Sequence, residues 1–135
     1  MLFRSSIAQK AAVAALTGSQ DPVDTMRAAY LERRDRLCDW LSGGARLRYQ
    51  KPAGAFYLFV DVSRALSPHG LPTSVAFAEA LLSEARVAVT PGEAFLAPGF
   101  VRLSFATSLE VLREGAGRLL AFVDAHAAVI GRRKT

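Results

Sequence analysis

The sequence predicts an α+β fold: a small antiparallel or mixed sheet with helices packed on one face, preceded by a short helix and a long one. Three observations carry this. Residues 87–106 read as two strands separated by a Pro-Gly turn and a second glycine. Residues 55–60 (Ala-Phe-Tyr-Leu-Phe-Val) form a continuous apolar run that ends at Asp61, the pattern of a central strand covered on both faces. Three further segments carry apolar residues at helical spacing with recognisable start and stop signals.

The elements follow in order. Ser5 to Leu16 is Ala-rich, and Thr17-Gly18 stops it as a short helix. Asp21-Pro22 opens the long helix, with Asp21 as the expected N-cap and Pro22 at the first helical position, where no amide donor is needed. Val23, Met26, Tyr30, Leu37 and Leu41 form its apolar stripe, arginines occupy the other side, and Gly43-Gly44 ends it. Arg46 to Gln50 alternates weakly, and Lys51-Pro52-Ala53-Gly54 is a turn cluster before the apolar run. A loop rich in Ser, Pro and Gly spans Ser63 to Pro72. Thr73 then starts a helix whose apolar side is expected from Val75, Ala76, Ala80, Leu81 and Leu82.

Val87 to Thr90 is the next expected strand. In the strand after it, Val101, Leu103 and Phe105 point one way while Phe100, Arg102 and Ser104 point the other. Thr107 with Glu110 three residues later matches a capping box. Leu109, Leu112, Ala116, Leu119, Leu120 and Val123 then give a helical stripe, and the polar end from Gly131 to Thr135 is expected to fray. Strands joined by short turns should pair antiparallel.

Composition narrows the function classes. The chain has 135 residues, 51% of them hydrophobic and 21% charged, which favours a folded domain over disorder. No apolar run approaches the ~20 residues that cross a bilayer, and the first residues lack a secretory apolar core, so the expected location is cytoplasmic. The single cysteine, Cys38, lies in a helical pattern and is expected as a buried small hydrophobe. His69 and His126 have no acidic or Cys partners at ligand spacing, so no metal site is expected. The net charge of +5 raises nucleic acid as a partner. The long helix's arginines alternate with Glu32 and Asp35 as on a solvated face, and no nucleic-acid motif is present, so that class ranks last.

Arg102 is the charged residue of an otherwise apolar strand, and burying a guanidinium is costly unless a carboxylate or phosphate meets it. Together with residues 6–16, the Asp21-to-Leu41 helix, Pro52-Ala-Gly-Ala-Phe-Tyr-Leu-Phe59 and Pro91-Gly92-x-x-Phe95, the Val-Arg-Leu-Ser104 strand resembles the class I/II aminotransferases of the aspartate aminotransferase type. The likeness runs in family order from about Ser5 to Phe122. It implies the C-terminal, small-domain part of a pyridoxal-phosphate enzyme, with residues 1–18 a remnant of the large domain and 19–135 the small domain.

In that family the matching arginine forks onto the α-carboxylate of the amino-acid substrate. This assigns substrate binding to Arg102, against the alternative of a local ion pair with Glu93 or Glu110. Gly54 is the second expected substrate-binding position. It would relieve backbone crowding where the turn enters the strand and approaches substrate, or serve as a plain turn glycine. Phe95 is assigned to the core in preference to the site. Leu96 stands where many relatives have Gly, and a positive φ there would strain it.

The family's Schiff-base lysine and most cofactor contacts belong to a segment that would precede Met1, and Lys10, Lys51 and Lys134 are poor substitutes. No catalytic or cofactor-binding residue is therefore expected here, nor tight binding of pyridoxal 5'-phosphate. The expected function is that of a C-terminal fragment inactive by itself, from a truncated or split gene, whose parent moves an amino group between an amino acid such as aspartate and a 2-oxo acid. The alternatives are a non-catalytic module that completes a split aminotransferase and, last, a basic nucleic-acid-binding domain. The two N-terminal helices would expose an apolar patch, so a large-domain chain or a homodimer is the expected partner.

Overall fold

The computed structural model describes residues 5–67 and 70–132, with side chains described through residue 126. Helix α1 (Ser6–Thr17) is capped by Ser5, whose hydroxyl accepts from the Ala8 N–H at 3.3 Å. Helix α2 (Asp21–Leu41) follows, then strands β1 (Arg48–Tyr49) and β2 (Tyr57–Asp61), and helix α3 (Ser74–Ala85). Strand β3 (Thr90–Pro91) runs into a 3-10 turn at Gly92–Phe95. Strand β4 (Phe100–Ser104) and helix α4 (Leu109–Arg132) complete the order.

The four strands stand in the order β1-β2-β4-β3, and every pairing is antiparallel, so the α+β expectation holds with no parallel pair among the described residues. One sheet face meets the helices. Leu58 and Val60 of β2 and Val101 and Leu103 of β4 are buried there against Leu37 and Leu41 of α2, Phe77 and Leu81 of α3, and Leu112 and Leu119 of α4. Phe105 continues the inward row, as the alternation predicts.

Several expectations are corrected. The run at 55–60 becomes the central strand β2, but it is covered on one face: Tyr57, Phe59 and Asp61 are half-exposed. Its aromatics alternate with Leu58 and Val60, so continuity of apolar character concealed a two-faced strand. The N-cap of α2 is Gln20, not Asp21; Asp21 lies inside the first turn and its N–H is met by the Ser19 hydroxyl at 3.1 Å. Asp21 and Asp24 there complement the helix dipole. On α3 the inward face is Ser74, Phe77, Ala78 and Leu81, at i, i+3, i+4 and i+7, while Val75 and Leu82 are exposed.

Residues 87–89 make no ladder with β4, and pairing begins at Thr90. The left-handed Arg86 cap of α3 (φ 58°) delivers the chain to the sheet late, and Val87 and Val89 turn toward the core instead. The cap of α4 also shifts by one. Ser108, not Thr107, accepts from an N–H three residues on, that of Val111 at 3.3 Å, which leaves Glu110 too early to reach back. Helix α4 continues through Arg132, beyond the expected fraying point at Gly131; residues 133–135, with Lys134, lie outside the described residues, as does His69. His126 meets an acid after all, with Nε2 3.6 Å from Glu84 Oε2 of α3.

The apolar patch expected at the N-terminal helices is present. Helix α1 buries no residue, and Ile7, Val13, Leu16, Val23 and Met26 are all more than half exposed. Among the described residues no helix is long and apolar enough to cross a membrane, and no group of metal-ligating residues occurs.

Candidate functional site

The outer sheet face carries an aromatic platform around one charge. Arg102 sits mid-strand in β4, in register with Phe59 of β2 and Thr90 of β3, so its backbone is held from both sides. Its guanidinium carbon lies 4.1 Å from the Tyr57 ring centre and 4.4 Å from the Phe95 ring centre. The cation therefore rests against two aromatic rings, Tyr57 and Phe95, each within cation–π distance. Phe59 stacks on Phe100 at 5.0 Å and meets Phe95 edge-on at 6.2 Å, which completes the platform.

Neither rival carboxylate reaches the guanidinium. Among the described residues Arg102 makes no ion pair. Glu93 Oε1 instead accepts from the Ser74 N–H at 3.1 Å, and Glu110 is exposed in the first turn of α4. Phe95 is not a core residue: it is 42% exposed and packs against Arg102. The turn Gly92–Phe95 lifts it out of the sheet plane. A Cβ on Gly92 would stand 2.0 Å from the Ala97 carbonyl oxygen, so that tight turn requires glycine. Leu96 has φ 58°, the left-handed conformation that makes leucine costly at this position.

Crowding is not what calls for a glycine at position 54, which leaves the alternative of a plain turn glycine. A Cβ on it would meet nothing within 4 Å, and the positive φ of this turn falls on Ala55 (60°). So Gly54 relieves no crowding within these residues. It lines a groove of about 530 Å³ with Val23, Met26, Tyr30, Leu31 and Phe105, a groove that Arg102 does not line. This groove does not by itself bring Gly54 and Arg102 together.

The turn itself is tied to α2. Arg34 Nη1 donates to the Pro52 carbonyl at 3.1 Å, and Asp35 Oδ1 receives both Arg34 Nε at 2.7 Å and Lys51 Nζ at 2.8 Å. Hydrogen bonds from Arg34 first, and Lys51 second, hold the Asp35 carboxyl down at about 2. The same bond to Asp35 raises Arg34. On the reading of the long helix as a solvated basic face, Arg34 is an exception: its side chain is 18% exposed and structural.

The described residues do not suit pyridoxal phosphate as its primary holder. Lys10 lies on the exposed α1 surface, and Lys51 lines a groove with Tyr57 and Phe59 but gives its ammonium to Asp35. A Schiff-base lysine needs a free amine beside a phosphate cradle and an acid for the pyridine nitrogen, and neither lysine has them. What the sequence reading missed were Tyr57 as a flank of Arg102 and Ser74 as the partner of Glu93. The first was available from period-2 alternation across paired strands; the second depends on a contact spanning 19 residues.

Comparison with known proteins gives the family. The model of the family "Aminotransferase class I and II" matches residues 1–119. The aspartate aminotransferase of Geobacillus stearothermophilus is 45% identical over 123 residues, 91% of this chain and 31% of that protein. Among solved structures, the aspartate aminotransferase of Rhizobium meliloti superposes with a TM-score of 0.80 at 38% identity, covering 89% of this chain and 31% of that one. The Thermus thermophilus aspartate aminotransferase with maleate gives a TM-score of 0.76 at 44% identity, covering 85% and 29%. This chain spans about a third of the length of these relatives. Matched by this family's model over residues 1–119, the chain belongs to the class I and II aminotransferases.

Proposed function

We propose that this chain is the small-domain portion of a pyridoxal-phosphate-dependent aminotransferase that moves an amino group between an amino acid such as aspartate and a 2-oxo acid. Arg102 holds the substrate α-carboxylate. One observation carries the reading: an arginine that rests against two rings and makes no ion pair among the described residues is suited to bind a carboxylate ligand. Maleate, the ligand of the Thermus thermophilus relative, is a dicarboxylate, which supports the same chemistry. Gly54 serves as a second substrate contact once the groove it lines is closed by other residues. The domain boundary falls at residues 18/19, a division supported by the absence of any buried residue in α1. The cytoplasm is the proposed compartment.

These 135 residues do not transaminate by themselves, because Lys10 and Lys51 lack the surroundings of a cofactor lysine. Adding pyridoxal phosphate to the purified chain and trapping any imine with borohydride tests this. The expected result is slow, scattered labelling; a stoichiometric adduct on one lysine would overturn it.

A second reading has its own support. Ile7, Val13, Leu16, Val23 and Met26 are exposed apolar side chains on the two N-terminal helices, which supports reading the chain as a module that docks onto a large-domain chain, or onto a second copy, to complete a split enzyme. Mixing with a lysine-bearing large domain should restore activity if this holds; a mixture as inactive as either part alone counts against it.

A further inference from the structure

The geometry points to Ser74 and Glu93 as positioning residues for Arg102, a reading that rests on Arg102 as the carboxylate-binding group. Ser74 is the first residue of α3, is fully buried, and holds two separate points of the 92–99 loop at once. Its N–H donates to Glu93 Oε1 at 3.1 Å, and its hydroxyl oxygen accepts from the Gly99 N–H at 2.7 Å. These two contacts span 19 and 25 residues and anchor both limbs of the loop to one helix end.

Between the anchors the loop is closed upon itself. The Ala97 N–H donates to the Gly92 carbonyl at 3.0 Å, and the Leu96 N–H donates to the Glu93 carbonyl at 3.2 Å. With the limbs held, the last residue of the 3-10 turn, Phe95, projects over the sheet and packs 4.4 Å from the Arg102 guanidinium carbon. The clasp therefore supplies one of the two rings against which the Arg102 guanidinium packs. It also withdraws from that guanidinium a carboxylate only nine positions away in sequence. Glu93 Oε1 is committed to the helix end, and Oε2 is buried without a hydrogen-bond partner, so the acid is kept on the helix side of the loop.

Drawing a carboxylate oxygen into a buried position carries a desolvation cost. The N-terminus of α3 offsets part of that cost, because a carboxylate is favourable at the positive end of a helix. The arrangement keeps the nearby Glu93 carboxylate on the helix end and the Arg102 guanidinium against Phe95.

The test is nuclear magnetic resonance of the Arg102 Nε–Hε group in the full 135-residue chain. A guanidinium between two rings carries a ring-current shift from each, and Phe95→Leu calibrates the Phe95 share. Ser74→Ala and Glu93→Ala are expected to move the resonance toward the Phe95→Leu position. Glu93→Gln, which keeps the acceptor for the Ser74 N–H, is expected to stay near wild type. Titration with maleate should show the affinity of the two alanine variants lowered about two- to fivefold, the value of one exposed cation–ring contact.

Variants that lower the melting temperature yet leave the Arg102 resonance and the maleate affinity unmoved would reduce the clasp to a helix cap and overturn the proposal. If Ser74→Ala does not fold, the Glu93 pair carries the comparison. A wild-type resonance indifferent to maleate, with the variants still shifting, would leave the clasp standing as a positioner of Arg102 and overturn the carboxylate reading instead.

Discussion

The guanidinium of Arg102 lies 4.1 Å above the Tyr57 ring, one strand over, and no acid within the described residues neutralises it. Their strands are neighbours in the sheet, with Phe59 opposite Arg102 and Tyr57 opposite Ser104, so the contact is a diagonal one on a single sheet face.

Arg102→Lys keeps the charge and loses the planar fork. Maleate binding, followed by titration of the intact chain, should weaken about tenfold, the loss of one charge-assisted hydrogen bond. Tyr57→Leu should cost less, about two- to fivefold. Equal affinities for wild type and Arg102→Lys would mean that the contact is simple charge attraction.

Leu96 is 96% exposed at φ 58°, so its side chain contributes no packing to offset the backbone strain. Leu96→Gly should stabilise the fold by about 1 kcal/mol, the left-handed penalty less the extra flexibility that glycine gives the unfolded chain. Gly92→Ala, four residues earlier, should do the opposite by about 1–3 kcal/mol, since its methyl group would overlap the Ala97 carbonyl oxygen at 2.0 Å. Urea melts of both variants check the pair; a destabilised Leu96→Gly would show that the loop gains something from leucine.

Asp35 connects α2 to the 51–55 turn and gives a defined acid response. Its folded value, about 2, lies below that of an unfolded aspartate, ~3.9. Its contribution is therefore complete above the unfolded value and is lost as pH falls from about 4 toward 2. Asp35→Asn should flatten the stability profile in that window and leave its slope near neutrality unchanged. Identical acid profiles for variant and wild type would mean that the Arg34 and Lys51 contacts do not persist in solution.

Helix α1 has 12 residues and buries none, a length at which an isolated helix is marginal in water. Its amides should exchange with solvent far faster than those of β2, β4 and α4, and deleting residues 1–18 should change stability by no more than ~0.5 kcal/mol. A large, concentration-dependent loss on deletion would show that α1 is covered by a second copy of the chain.

Much of this was legible in the primary structure because local chemistry decided it. Thr73 caps α3 with its hydroxyl 3.1 Å from the Ala76 N–H, as a Thr before an apolar helical pattern should. The inward row Val101, Leu103, Phe105 follows from a period of two, and the same period turns Arg102 to the other face. The errors at Asp21, Thr107 and Val87 are boundary errors of one to three residues. Caps compete among adjacent Ser, Thr, Asp and Gln residues, and neighbouring geometry chooses between them.

Read along the chain, local chemistry was enough for the element order, the α+β class, the outward turn of Arg102 in β4 and the likeness to the aminotransferase family. Tertiary structure decided what surrounds that charge. Glu93 stands close to Arg102 in sequence and was a natural ion-pair candidate, yet the end of α3 takes its carboxylate. Phe95, by composition a core residue, becomes a flank of the guanidinium. Gly54, expected to be crowded, faces open space while Ala55 carries the positive φ. Local propensities act over three or four residues and can be read along the chain. The Glu93 outcome depends on a contact across 19 residues with the end of α3, and that of Phe95 on a turn folded back over a strand, and neither is encoded by local propensity.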